Sequence, residues 1–135
     1  MRGIADTGFI VAAIHRSDRY HPWAAQIAGQ ITEPLLTCEA VLTEAAFHLR
    51  SSSAVLALVR AGMLKIAFDA QRELDRLLEL AQSYADRRPD LADLCLIRMS
   101  ELHPRHVVVT IDTDFRVYRR NKRDAIPLLY PPEAY

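Results

Sequence analysis

The chain has 135 residues, half of them apolar and a quarter charged, with 17 basic and 17 acidic side chains and no net charge. That is the length of one domain with room for a core, in a globular rather than disordered or fibrous composition. The zero balance excludes binding of nucleic acid through a global field, so any polyanion contact must come from a local patch. The two cysteines, Cys38 and Cys95, lack the paired spacing of a zinc site and read as reduced core thiols of a cytosolic protein. No secretory leader is legible, because only three uncharged residues separate Arg2 from Asp6. The early apolar run Phe9–Ile14 is far below the roughly 20 residues of a membrane span. The expectation is a cytoplasmic protein without a membrane partner.

In chain order, Gly3–Asp6 reads as a short strand ending in an acid, and Thr7-Gly8 opens an apolar helix through Ile14. After the polar loop His15–Tyr20, Pro22 suits the first turn of a second helix with Trp23, Ile27 and Ile31 on one face. Glu33-Pro34 breaks it, and Leu35–Thr37 is a second strand. From Cys38 to Arg50 a third helix sets Val41, Leu42, Ala45, Ala46 and Leu49 in one stripe. Ser51–Ser53 can cap a short helix, Ala54–Ala61, which Gly62 ends before the strand Met63–Phe68.

Asp69 reads as the N-cap of a long helix to about Asp86, with Leu74, Leu77, Leu78, Ala81 and Ala85 inward. Arg87-Arg88-Pro89 is a break. Asp90 then caps a helix from Leu91 to about Leu102, with Leu91, Leu94, Cys95 and Leu102 inward, and His103-Pro104 closes it. Val107–Thr110 is a run of β-branched residues continued by Ile111, the pattern of a strand buried on both faces, and it stops at Asp112. A basic segment, Arg116–Arg123, follows as a helix, then the apolar fragment Ile126–Tyr130. Strands alternating with helices imply crossover units, hence an α/β fold with a mainly parallel sheet of four to five strands between helices. There is no internal repeat or linker, so residues 1–135 read as a single domain.

Two strands end in an acid, Asp6 and Asp112. If they neighbour each other where the strand order reverses, both carboxylates open into one crevice. Glu44 and Asp93 add acids that sit among apolar neighbours on helices, where a solvated charge is out of place. Carboxylates so gathered repel one another unless a cation joins them, and hard oxygen donors suit Mg²⁺ or Mn²⁺. Blander roles exist for each. Asp112 can be a turn acid, Asp114 a helix cap, Asp6 the N-cap of the first helix, and Asp93 a box-like cap at the third position after Asp90. Glu39, in the first turn of its helix, competes with Glu44.

The stretches Ala5-Asp6-Thr7-Gly8-Phe9-Ile10-Val11-Ala12, Val41-Leu42-Thr43-Glu44-Ala45, Leu91-Ala92-Asp93-Leu94-Cys95-Leu96 and Thr110-Ile111-Asp112-Thr113-Asp114-Phe115 resemble, in order and over essentially the whole chain, the PIN domain. More narrowly they resemble the VapC-type ribonuclease toxins of bacterial toxin–antitoxin pairs. The resemblance implies a PIN-like three-layer sandwich and an acidic quartet of Asp6, Glu44, Asp93 and Asp112, with Asp114 as accessory acid. It makes these five the metal ligands. Thr7 and Thr110 match the small hydroxyl positions beside the first and last acids. It further implies Mg²⁺- or Mn²⁺-dependent cleavage of RNA, a homodimer, and restraint by a small VapB-type antitoxin. Arg116, Arg119 and Arg120 fall on one face of the expected basic helix and are the candidate contacts to an RNA backbone. The alternatives are a receiver-like signalling domain, for which a paired acid after the first strand is missing, and a PIN-like interaction module with inactive acids.

Overall fold

A computed structural model describes residues 1–132. Its centre is a parallel sheet of five strands, β1 (Gly3–Ala5), β2 (Leu35–Thr37), β3 (Leu64–Ile66), β4 (Val107–Val109) and β7 (Leu128–Leu129). Their order across the sheet is β3-β2-β1-β4-β7. Six helices surround it: α1 (Thr7–Ile14), α2 (His21–Ala28), α3 (Glu39–Leu49), α4 (Ser52–Arg60), α5 (Leu74–Ser83) and α6 (Leu91–Leu102). This is the α/β sandwich, with a parallel central sheet between helices, that the alternation of strands and helices predicts. None of the described helices is long and apolar enough to cross a membrane.

The sheet is where the apolar runs predict it. Ile4, Ala5, Val108 and Val109 are completely buried, as strands covered on both faces require. Successive strands step outward from β1 to β2 to β3, and the chain then returns to the other side of β1 as β4. The strand order therefore reverses between β1 and β4, which pair in register from Gly3↔Val107 to Ala5↔Val109. In open α/β sheets that reversal leaves a crevice beyond the carboxyl ends of the strands.

Local signals set most helix boundaries. Ser51 caps α4 by accepting the Ala54 N–H at 3.1 Å, and Asp90 caps α6 by accepting the Asp93 N–H at 2.8 Å. Gly62, with φ of 81°, turns the chain out of α4 into β3. Cys38 and Cys95 are both buried free thiols, and they meet side by side behind the sheet end that carries Asp6.

Four expectations are corrected. The second helix ends at Ala28, so Ile31 packs on the core from a loop. Asp69 does not start the long helix: its carboxylate accepts the N–H groups of Gln71 and Arg72 in a local turn, and α5 begins only at Leu74. On α5, Leu77 and Leu80 are buried and Ala81 packs half-buried against the core, while Leu74 and Leu78 are about half exposed and Ala85 is exposed. Leu91 and Leu102, at the two ends of α6, are likewise exposed. Finally, Arg116–Arg123 is no helix. A single 3₁₀ turn, Thr113–Arg116, leads into a hairpin of β5 (Arg119–Arg120) and β6 (Asp124–Ala125). Asn121 and Lys122 both have positive φ (51° and 72°), and Arg123 N–H closes on the Arg120 carbonyl at 3.2 Å, the geometry of a type I′ turn. Glu101 anchors this hairpin by accepting the Asn121 N–H at 2.6 Å while it pairs with Arg76 and Arg98.

Candidate metal centre

The acids collect at the reversal point. Asp6 follows β1 directly, and its backbone N–H still pairs with the Val109 carbonyl of β4 at 3.1 Å. Its carboxylate is 5% exposed and doubly held: Oδ1 accepts the Thr7 N–H and Oδ2 the Thr110 hydroxyl, both at 2.6 Å. Asp6 is thus the N-cap of α1 and a member of the acidic group at once. The Thr7 hydroxyl donates to Glu44 Oε2 at 3.0 Å, which ties α3 to the same place. Thr110 also accepts the Asp112 N–H at 2.9 Å, so both threonines act as struts between acids.

Asp6, Thr7, Glu44, Asp93 and Asp112 line one cleft of about 310 Å³. Two of these residues, Asp93 and Asp112, join Asp114 in a triplet that brings one oxygen of each within 4.8 Å of the others. Asp6 and Glu44 stand beside this triplet rather than in it. Asp114 does not cap a following helix: Asp112 is the cap, accepting the Asp114 N–H at 2.9 Å. Asp114 leans out towards Arg87, 3.7 Å away. Asp90, Asp18 and His48 line the same cleft. The sequence pattern marks Asp90 only as a cap, yet it also shares this cleft with Glu44 and raises its carboxyl, an approach across 46 residues that no local pattern reveals. Tyr118, unmarked by any motif, donates its hydroxyl to Asp93 Oδ2 at 3.2 Å.

The electrostatics are those of a cation site. Burial, opposed by the Thr110 and Thr7 hydrogen bonds, raises Asp6 to a pKa of about 6, with Asp112 and Asp90 adding repulsion. Burial and the charges of Asp90, Asp6 and Asp112 raise Asp93 to about 8. Glu44 and Asp112 are also raised, burial being the main cause in each. The Tyr118 hydroxyl is pushed up by burial and by Asp93, so it remains a donor. Four carboxyls reluctant to ionise together are the condition a divalent cation relieves, and the all-oxygen triplet fits a hard ion.

The three arginines of the expected basic face are dispersed. Arg116 stacks on Tyr130, 4.4 Å from the ring centre, and the Tyr130 hydroxyl donates to the Ile111 carbonyl next to Asp112. The Arg119 guanidinium folds back onto the carbonyls of Arg116, Val117 and Tyr118. Arg120 donates to the carbonyls of Ser100 and Pro104 at the far end of α6, roughly 13 Å of helix from Asp93.

A parallel sheet that gathers carboxylates beyond its carboxyl ends places the chain among α/β proteins with an acidic centre. The match is specific: the family model described as PIN domain covers residues 4–121, and the chain belongs to that family. PIN domains are generally nucleases, hydrolases of phosphodiesters. No curated protein matches the chain. The family match leaves the receiver-like alternative without support.

Proposed function

We propose that this protein is a divalent-metal-dependent endoribonuclease and the toxin of a toxin–antitoxin pair. The observation that carries the nuclease reading is the convergence of Asp93, Asp112 and Asp114 beside the buried Asp6. Carboxylates without thiol or imidazole in the triplet would hold Mg²⁺ or Mn²⁺, ions that also favour phosphate oxygens. When bound, the ion supplies Lewis acidity towards a phosphodiester and hydroxide near neutral pH. Asp93, Asp112 and Asp114 would be its direct holders. Asp6 and Glu44, tethered through Thr110 and Thr7, would extend the acidic wall beside the ion and help to hold its water. Arg116, next to the Asp112 loop, is the best placed of the three arginines to meet an RNA backbone.

The toxin role rests on the VapC-like run of motifs. Support for partners comes from the surface. Leu74, Leu78 and Leu91 are 47%, 52% and 56% exposed along one groove of α5 and α6, and Phe47 on α3 is 79% exposed. Apolar areas of this kind are what a second copy and a small antitoxin would cover. The test is incubation of the purified chain with RNA and Mn²⁺ or Mg²⁺. Fragments with 5′-phosphate and 3′-hydroxyl ends, absent in EDTA and with Asp112→Asn, support the nuclease; intact RNA at saturating Mn²⁺ overturns it. Growth arrest on expression, relieved by a small protein encoded next to this gene, tests the toxin role. Sedimentation tests the dimer.

A further inference from the structure

We infer that the Tyr118 hydroxyl is a positioning group for Asp93, fixing its carboxylate where it meets Asp112 and Asp114. The inference rests on the metal reading above. Asp93 stands on α6, whereas Asp112 and Asp114 belong to the loop leaving β4, so nothing in the local backbone fixes the distance between them. Tyr118 spans that gap. Its N–H donates to the Asp114 carbonyl at 3.1 Å, and its hydroxyl donates to Asp93 Oδ2 at 3.2 Å. One residue thereby ties the Asp114 turn to the Asp93 side chain.

The ring between those two bonds is itself immobilised. Tyr118 is 1% exposed and sits edge-on between Phe115 and Tyr84, with ring centres 5.3 and 5.1 Å away. Phenylalanine would pack in the same place, so the hydroxyl is not needed to fill space. What it adds is the hydrogen bond to Asp93. Partners of this kind orient a ligating carboxylate, and their loss typically costs roughly 10- to 100-fold in metal affinity.

The test is calorimetric titration of the full chain with Mn²⁺ alone, for wild type and Tyr118→Phe. The expected result is Mn²⁺ binding about tenfold weaker or worse, with cleavage restored towards wild type when Mn²⁺ is raised to saturation. Tyr84→Phe, which gives up a hydrogen bond from the Arg119 N–H, keeps wild-type affinity. Because the hydroxyl acts through Asp93, Tyr118→Phe in an Asp93→Ala background causes no further loss. Tyr118→Phe binding Mn²⁺ as tightly as wild type, or an equal loss in the Asp93→Ala background, overturns the assignment. A wild-type chain that binds no Mn²⁺ overturns the metal reading and this assignment with it.

Discussion

Thr110 donates its hydroxyl to Asp6 Oδ2 at 2.6 Å, joining residues 104 positions apart at the bottom of the acidic cleft. Thr110 Oγ1 in turn accepts the Asp112 N–H at 2.9 Å, so one buried hydroxyl sets the separation of two acids. Thr110→Val keeps the shape and removes both bonds, leaving a buried carboxylate short of a donor. The expected cost is about 1–3 kcal/mol in urea unfolding. Thr110→Ser should recover most of it, and equal stability of the valine and serine variants would remove the strut role.

Neutralising an acid separates catalysis from folding. Asp93→Asn and Asp112→Asn remove charges that repel their neighbours in the metal-free protein. Both variants should melt in EDTA no lower than wild type at about pH 8, while RNA cleavage falls by about 100-fold or more. Wild-type cleavage rates in either variant would count against the assigned site.

The raised carboxyls also fix the sign of the pH dependence. In the metal-free fold Asp6 holds its proton to about pH 6 and Asp93 to about 8, against 3.8 for an ordinary aspartate. Over that interval the folded state binds more protons than the unfolded chain, so stability falls as pH rises. The contribution is complete below 3.8 and is lost through about 6 for Asp6 and about 8 for Asp93. Melting curves in EDTA should therefore shift down between about pH 5 and 8.5, and added Mn²⁺ should stabilise most at the alkaline end. A melting temperature that climbs across this range in EDTA contradicts the prediction.

Gly8, in the first turn of α1, is pressed against the loop that carries Asp112. A Cβ there would lie 2.5 and 2.8 Å from two side-chain atoms of Ile111. Gly8→Ala should cost about 1–3 kcal/mol and displace Ile111 together with the adjacent Asp112, weakening Mn²⁺ binding. Adding Ile111→Ala removes the colliding atoms, and the double variant should regain part of the loss. Simple additivity of the two changes would show that the contact is not what couples them.

Much of this architecture is legible in the residues because local and tertiary demands agree. Val107–Val109 is apolar and β-branched and is buried, and Asp90 is a cap by pattern and by hydrogen bond. The failures come where they disagree. The arginine spacing after Phe115 mimics a helix, yet the buried Phe115 and Tyr118, the Glu101 bond to Asn121 and the two left-handed residues impose a hairpin. Asp69 has the chemistry of a helix cap, but it satisfies Gln71 and Arg72 in a turn that delays the helix. Within the cleft, Asp6, Glu44, Asp93 and Asp112 are recognisable from short motifs. Tyr118 and the Asp90–Glu44 approach depend on packing between distant elements and leave no pattern in the sequence.

The pairing of β1 with β4 has a consequence for synthesis. Residues 3–5 are synthesised long before the strand that completes their neighbourhood, Val107–Val109, itself flanked by Leu128–Leu129. Asp6 waits for Asp112 and Asp114 while everything between them is made, and contacts this remote in sequence form late. A growing chain that ends before β4 therefore carries no finished acidic cleft. Synthesis of β4 and of the loop beyond it is itself the event that assembles the site.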